Sequence, residues 1–472
     1  MTREEKFLMM TQTPVERLVC RMAVPTITAM LISALYNMAD TYFVGQIGTS
    51  ATAGVGVSFS LMAMIQALGF FFGHGSGNYI SRQLGAQNVE EAAKMAATGA
   101  VSSWLGGALV CVIGSLLLEP LALLLGATET VLPYAMDYIR FILMGAPWMC
   151  CSLTLNNLLR LQGSAFYGMI GMTSGAILNI GLDPLFIFVL DMGVAGAALA
   201  TILSQMVSCI LLYIQCRRGG NVPVRLRNFS PKMKNYKEIF RGGLPSLFRQ
   251  GLGSVATIVL NQSAGAFGDS AIAAMSVVNR VSMLVGSTVV GFGQGFQPVC
   301  GFNYGAKLYS RVRRAFWFCV RFSTLFMLGA SLCGFVLAPQ IIALFRRDDP
   351  EVIRIGALAL RMHCFAFPLL GWIIINNMML QTMGKALKAS VLAVSRQGIF
   401  LTLFVLLLVP RLGILGLQLA QPAADLVTFL IAVPLGISVL KELREDEALH
   451  SLASGSAPSS DLNLSQTEPM DF

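Results

Sequence analysis

Between residues 21 and 440 the chain keeps returning to one pattern, a run of about twenty apolar residues closed by a short polar break. The runs fall near 21–46, 53–80, 95–118, 134–156, 165–190 and 193–215, then near 241–265, 271–299, 314–337, 355–380, 388–409 and 413–440. A helix needs about 20 such residues to cross a bilayer, and only helices or closed barrels satisfy their backbone groups in lipid. A barrel would alternate apolar and polar residues in segments of about ten, and no such alternation is visible. Charged residues make up 12% of the 472 and apolar ones 55%, against about 25% charged in a soluble domain. The expected fold is all-α: a polytopic membrane protein with twelve transmembrane helices.

The basic residues sort to one side of these spans. That side takes Arg3, Lys6 and Arg17 at the N-terminus, then Arg82, Lys94 and Arg160, and Arg217 to Lys237 in the central link. It also takes Lys307, Arg311, Arg313, Arg314, Lys385, Lys388, Lys441 and Arg444. The opposite loops are poor in Lys and Arg apart from Arg346, Arg347 and Arg354. The positive-inside asymmetry puts both termini in the cytoplasm, and it accounts for the net charge of +9 without nucleic acid as a partner. Five regions follow: an amphipathic N-terminus at 1–20, a six-helix lobe at 21–215, a basic cytoplasmic linker at 216–240, a second lobe at 241–440 and a polar tail at 441–472. The tail composition predicts disorder. The N-terminus has no cleavable signal pattern, and the ten scattered cysteines, with no CxxC pair, read as packing residues.

The halves repeat at a shift near 220 residues. Pro25 aligns with Pro245, GTSATAGVGV at 48–57 with GDSAIAAMSV at 268–277, Asn156–Asn157 with Asn376–Asn377, and GVAGAALA at 193–200 with GILGLQLA at 413–420. Six spans per half is an even number, so both halves enter from the same side. They are then two pseudo-symmetric six-helix bundles about an axis along the membrane normal, with a cavity between them. This is the plan of an alternating-access carrier.

Carboxylates inside a membrane cost about 2.5–3.5 kcal/mol on insertion scales and face a cavity or a partner. The first half has Asp40 in span 1 and Asp183 in span 5, both roughly 10 Å below the outer surface at 1.5 Å rise per residue. Asn179 lies one turn before Asp183, and Thr201 enters at similar depth from span 6. At the repeat shift Asp40 maps to Leu260 and Asp183 to Leu403, so fold symmetry does not require the acids. Two carboxylates in low dielectric favour uptake of a proton, or of a small cation among these oxygens. Pro25 interrupts the hydrogen-bond ladder of span 1 and lets it bend as the charge changes. The bland alternative makes each Asp a cap on a broken helix, as Pro184 suggests for Asp183. In the second half Arg249, Arg280, Arg396 and Asp425 lie within or near spans, and equal depth suggests a structural ion pair of Arg280 with Asp425.

Three histidines, and the absence of HExxH, GxSxG or GxxxxGK[ST], leave zinc proteolysis, serine hydrolysis and ATP-driven transport without their motifs. An enzyme is not expected, and neither a cofactor nor a dedicated metal centre.

Several stretches resemble the multidrug and toxic compound extrusion (MATE) family, especially its MepA-like and DinF-like branches. They are P-x₁₁-N-x-A-D-T-Y-F-V-G at 25–45, GSGNYISRQLGAQN at 75–88, LRLQGSAFYGMIGMTSGAILNIGLDPLFIF at 159–188 and MGVAGAALATILSQ at 192–205. The resemblance covers about 15–440 and implies the MATE fold, two bundles around a V-shaped cleft. It also implies antibiotic-resistance-type drug efflux by antiport in a bacterial cytoplasmic (inner) membrane, acting as a monomer among membrane lipids. The substrates it implies are amphipathic, often cationic compounds. The family's cation site falls on Asp40, Asn179, Asp183 and Thr201, with Tyr36 one turn from Asp40 and Pro25 at the bend. Spans 7 and 10 carry Asn261, Gln262, Asn376 and Asn377 where the NorM-like branch is acidic. H+ is therefore the expected coupling ion, with Na+ the alternative. A lipid-linked saccharide flippase of the same superfamily is the other reading, disfavoured by twelve spans and few cavity arginines.

Overall fold

The computed structural model of the chain describes residues 2–127, 129–345 and 349–454, with side chains throughout except at 37, 41, 49–53, 261 and 269. Arg346, Arg347 and the tail from 455 onward lie outside these residues. The first half consists of α1 (Arg3–Gln12), α2 (Val15–Gly45), α3 (Thr49–Gly85), α4 (Val89–Leu116), the short α5 (Leu118–Leu124), α6 (Leu132–Leu161), α7 (Ala165–Pro184) and α8 (Gly193–Gln215). A π-helical turn, Leu185–Val189, follows α7. The second half consists of α9 (Met233–Gly265), α10 (Asp269–Gly305), α11 (Tyr309–Val336), α12 (Ala338–Phe345), α13 (Pro350–Thr382), α14 (Ala386–Val394), α15 (Phe400–Leu412) and α16 (Ile414–Ser454). Another π turn, Ser395–Ile399, joins α14 to α15.

Eleven helical spans among the described residues are long and apolar enough to cross a membrane. The twelfth is α9, 33 residues long. Its apolar character is diluted by Lys234, Lys237, Arg241 and Arg249 and, on another face, by Gln250, Ser254 and Thr257. The outward faces of other helices carry uninterrupted apolar rows, such as Leu105, Leu109, Val112 and Leu116 on α4 and Leu325, Leu328 and Leu332 on α11, all exposed. Water would not tolerate such surfaces; hydrocarbon does.

The repeat governs the backbone in detail. α3 and α10 begin and end 220 residues apart, as do α4 and α11. Even the turns repeat: Gln87 and Lys307 are non-glycine residues with φ of 59° and 60°, and Gly193 and Gly413 match at 55° and 59°. The polar segment from 441, expected to be disordered, continues α16 as helix to Ser454. There Lys385 and Lys388 bind Glu442 at 2.6 and 2.8 Å and Arg313 binds Glu447, so side-chain pairing carries the helix past its apolar part.

The halves meet through α2 on α10 and α3 on α9, and the two pairs are mates under the pseudo-two-fold. At the axis a Cβ on Gly85 would strike the carbonyl of Phe302, and one on Gly305 the carbonyl of Arg82. These are the same contact seen from each half, and only glycine lets the backbones approach so closely. Among the described residues, side-chain hydrogen bonds join the halves at this end. They include Arg82 Nη1 to the Thr382 carbonyl at 2.6 Å, Arg160 Nη1 to the Gln294 carbonyl at 2.6 Å and Thr382 Oγ1 to Asn78 at 3.2 Å. Further toward the other end, a Cβ on Gly56, Gly251 or Gly286 would meet nothing within 4 Å. The bundles thus close at the basic end, and the helices are less tightly packed at these positions toward the opposite end.

The N-terminal helix fastens the closed end. Thr2 and Glu5 form a capping box that starts α1. Lys6, 2% exposed, reaches Ser164 at 2.8 Å and Asn221 at 2.5 Å in the first half. Asn303 in the second half donates to the Met10 carbonyl at 3.1 Å, and Arg311 to the Thr13 carbonyl at 2.6 Å. The segment expected to lie on the membrane surface is wedged between the bundles.

Candidate functional site

Helix α7 sets Asn179 and Asp183 one turn apart on one face, and Pro184 cannot donate a backbone N–H there. The ladder loosens into the π turn that follows, a distortion common where helices carry function. Asn179 Nδ2 lies 3.2 Å from Asp183 Oδ1 and 3.5 Å from Thr201 Oγ1, and Thr201 donates to the Ala197 carbonyl at 3.1 Å. Asp40 comes from α2, which packs along α7, and it lies within electrostatic range of Asp183. Asp40, Asp183, Asn179 and Thr201 are each at most 4% exposed, and Tyr36 is half-buried within range of both acids. The four predicted polar residues and Tyr36 therefore come together. Pro25 lies inside a continuous α2, three turns or more from Asp40.

One member was not foreseen. Tyr138 of α6, fully buried, donates to Met62 Sδ at 3.8 Å and lies within electrostatic range of both acids. Beside Asp137 and Arg140 near a helix end the tyrosine does not stand out in the sequence, so only the packing of α6 on α8 reveals it.

Asp40 Oδ1, Asp183 Oδ2, Asn179 Oδ1 and the nearby Ser204 Oγ are all buried without a hydrogen-bond partner. Oxygens left so in low dielectric call for a proton or a small hard cation. No group of three or more His, Cys, Asp and Glu side chains able to hold a metal ion occurs among the described residues.

The second half holds no acidic counterpart: Leu260 is buried and Leu403 is exposed on the apolar surface. Asn376 and Asn377 donate to the Ala432 and Ala389 carbonyls at 2.7 and 2.8 Å, tying helices together. The expected pair of Arg280 with Asp425 does not form. Arg280 is exposed, and Asp425 accepts instead from Arg396 Nε at 2.7 Å and Gln421 Nε2 at 3.0 Å. α16 packs beside the α14–α15 helix at this level, and the π turn places Arg396 against it.

Arg160, counted in the sequence among the loop cations, is 2% exposed at the closed end. Its guanidinium donates to the Gln294 carbonyl at 2.6 Å, Gln297 Oε1 at 2.9 Å and Asn157 Oδ1 at 2.7 Å, and lies 3.0 Å from His74 Nε2. His74 Nδ1 is in turn 2.9 Å from Ser246 Oγ of α9.

The family model for MatE matches residues 25–185 and again 245–406, starting each time at the repeat-related prolines. Among curated relatives, the multidrug export protein MepA of Staphylococcus haemolyticus is 24% identical over 448 residues, 94% of this chain and 98% of that protein. A solved transporter of the MOP superfamily from Pyrococcus furiosus, described as having a binding pocket of reversed polarity, superposes with TM-score 0.87 at 27% identity, covering 93% of this chain and 98% of that one. A multidrug resistance MATE transporter solved in an outward-facing conformation gives 0.87 at 26% identity, again over 93% and 98%. With more than half of the sequence matched in two copies, and the same two-bundle architecture, the chain belongs to the MatE family.

Proposed function

We propose that this protein is a secondary active exporter of amphipathic compounds, working by alternating access in a bacterial cytoplasmic membrane with both termini inside. Outward movement of substrate is coupled to inward movement of H+ through Asp40 and Asp183. The observation that carries the reading is the pair of buried carboxylate oxygens without partners, on Asp40 and Asp183, which among the described residues occurs in the first half alone. By the positive-inside rule the closed end is cytoplasmic, and the open end faces outward as in the outward-facing relative. A proton entering from outside would neutralise the acids, and a proton crossing about 100 mV supplies about 2.3 kcal/mol. MepA, to which the chain is similar, is named a multidrug export protein, which supports small-molecule drugs as substrates.

Asp40→Asn and Asp183→Asn should each lower gradient-driven ethidium efflux at least tenfold while leaving membrane insertion intact. Efflux at the wild-type rate in both would refute proton coupling at this site. The neutral oxygens of Asn179, Thr201 and Ser204 favour Na+ as a second reading. Dependence on external sodium at a clamped pH gradient would select it.

A further inference from the structure

A basic cluster of Arg160, His74 and Arg249 lies at the junction of the halves. On α9, Ser246 touches His74 and accepts from Gln381 Nε2 at 2.7 Å, which places that face of the helix at the junction of the halves. Arg249 lies one turn further toward the open end on the same face, half-buried. Arg160, behind His74, is within electrostatic range of Arg249, and so is His74 itself. Among the described residues no carboxylate pairs with either arginine: every Arg160 partner is neutral, and the charged group in range of Arg249 beyond these is Arg396, already bound to Asp425. The acids of the first half face each other and the tyrosines instead. Two guanidiniums without counter-ions in a low-dielectric setting are costly unless an anion visits them. A guanidinium fork suits carboxylate, sulfonate or phosphate oxygens in particular.

We infer that Arg249 is a binding residue for the anionic head of an amphipathic substrate, whose apolar body lies along the cleft above it. The inference rests on the exporter reading only in taking the cleft as the substrate path; binding needs no coupling ion. Two sources share this chemistry, a free amphipathic anion and a lipid-linked phosphate.

The test is equilibrium binding to the full-length protein in nanodiscs, with taurocholate for the free anion, a polyprenyl phosphate for the lipid-linked one and ethidium as cationic comparator. Wild type should bind at least one of the two anions, which identifies the source. Arg249→Gln should weaken that binding roughly ten- to hundredfold, the loss expected for a charge-assisted contact, and Arg249→Lys by clearly less. Because the guanidinium has no protein counter-ion, Arg249→Gln should keep the wild-type unfolding midpoint, whereas a structural arginine would lower it. Equal anion affinity in wild type and Arg249→Gln, or binding of ethidium alone, would overturn the inference. Ethidium efflux that ignores the ion gradients would sink the exporter reading without touching it.

Discussion

Asp425 is 4% exposed, and its carboxylate is held by Arg396 and Gln421 from two directions. Removing one partner of such a pair strands a buried charge, which costs about 3–5 kcal/mol, whereas replacing both by apolar residues is often neutral. Arg396→Ala should therefore lower the unfolding midpoint in detergent clearly, and Arg396→Met with Asp425→Leu should recover most of it. Equal loss in the single and double variants would show that the pair is not the cause. At this scale the sequence was informative wherever a polar group sat in an apolar run. Asp40, Asp183, Asn179 and Thr201 announced themselves because an isolated acid in lipid needs a reason to be there. Which residue meets which is another matter. Arg280 and Arg396 both offer Asp425 a cation from the second half's spans, and lateral neighbours depend on how helices pack, which spacing along one chain does not encode. Arg160 misled for a related reason: at a helix end, a cation that lines a loop and one that plugs a junction have the same surroundings in sequence.

Among the elements, α1 shows most clearly what composition could not. Its charges suggest a surface helix, yet Lys6 is buried against Ser164 and Asn221. Burial, with Arg3 nearby, lowers its pKa from the ordinary 10.5 to about 8. Undocked, the amine would keep its proton up to about 10.5, so the docked form binds fewer protons between 8 and 10.5 and gains stability as pH rises through that window. The gain is at most about 1.4 kcal/mol per pH unit. Hydrogen exchange of residues 3–12 should thus be slower, relative to intrinsic rates, at pH 9.5 than at pH 7.5, and Lys6→Met should erase the difference. Protection that falls with pH would contradict this account. The helices themselves were legible almost throughout, because span length and duplication constrain each other. The helix α9 is the instructive exception: its charged and polar residues, from Lys234 to Thr257, make it the least apolar span.

For the molecule as a whole, the repeat fixed the pseudo-symmetry before any coordinates, and the turns at Gln87 and Lys307 show how faithfully the two halves keep it. The sequence could not say which end is shut, since that depends on contacts between halves some 220 residues apart. Gly305→Val should force α3 and α10 apart at the Arg82 carbonyl. Spin labels on the two bundles near the basic end should then report a longer mean distance, and efflux should fall at least tenfold. An unchanged distance distribution would mean that the close approach is incidental.

The meeting of Gly85 and Gly305 lies at one extremity of two helices of 37 residues each. At 1.5 Å per residue each is a rod of about 55 Å pivoting near its tip, so roughly 10° of tilt sweeps the far tip through about 10 Å. A fulcrum so far off-centre converts a small local adjustment into a mouth wide enough for a drug-sized molecule, and the neutralisation of two acids would need to supply only the first few degrees.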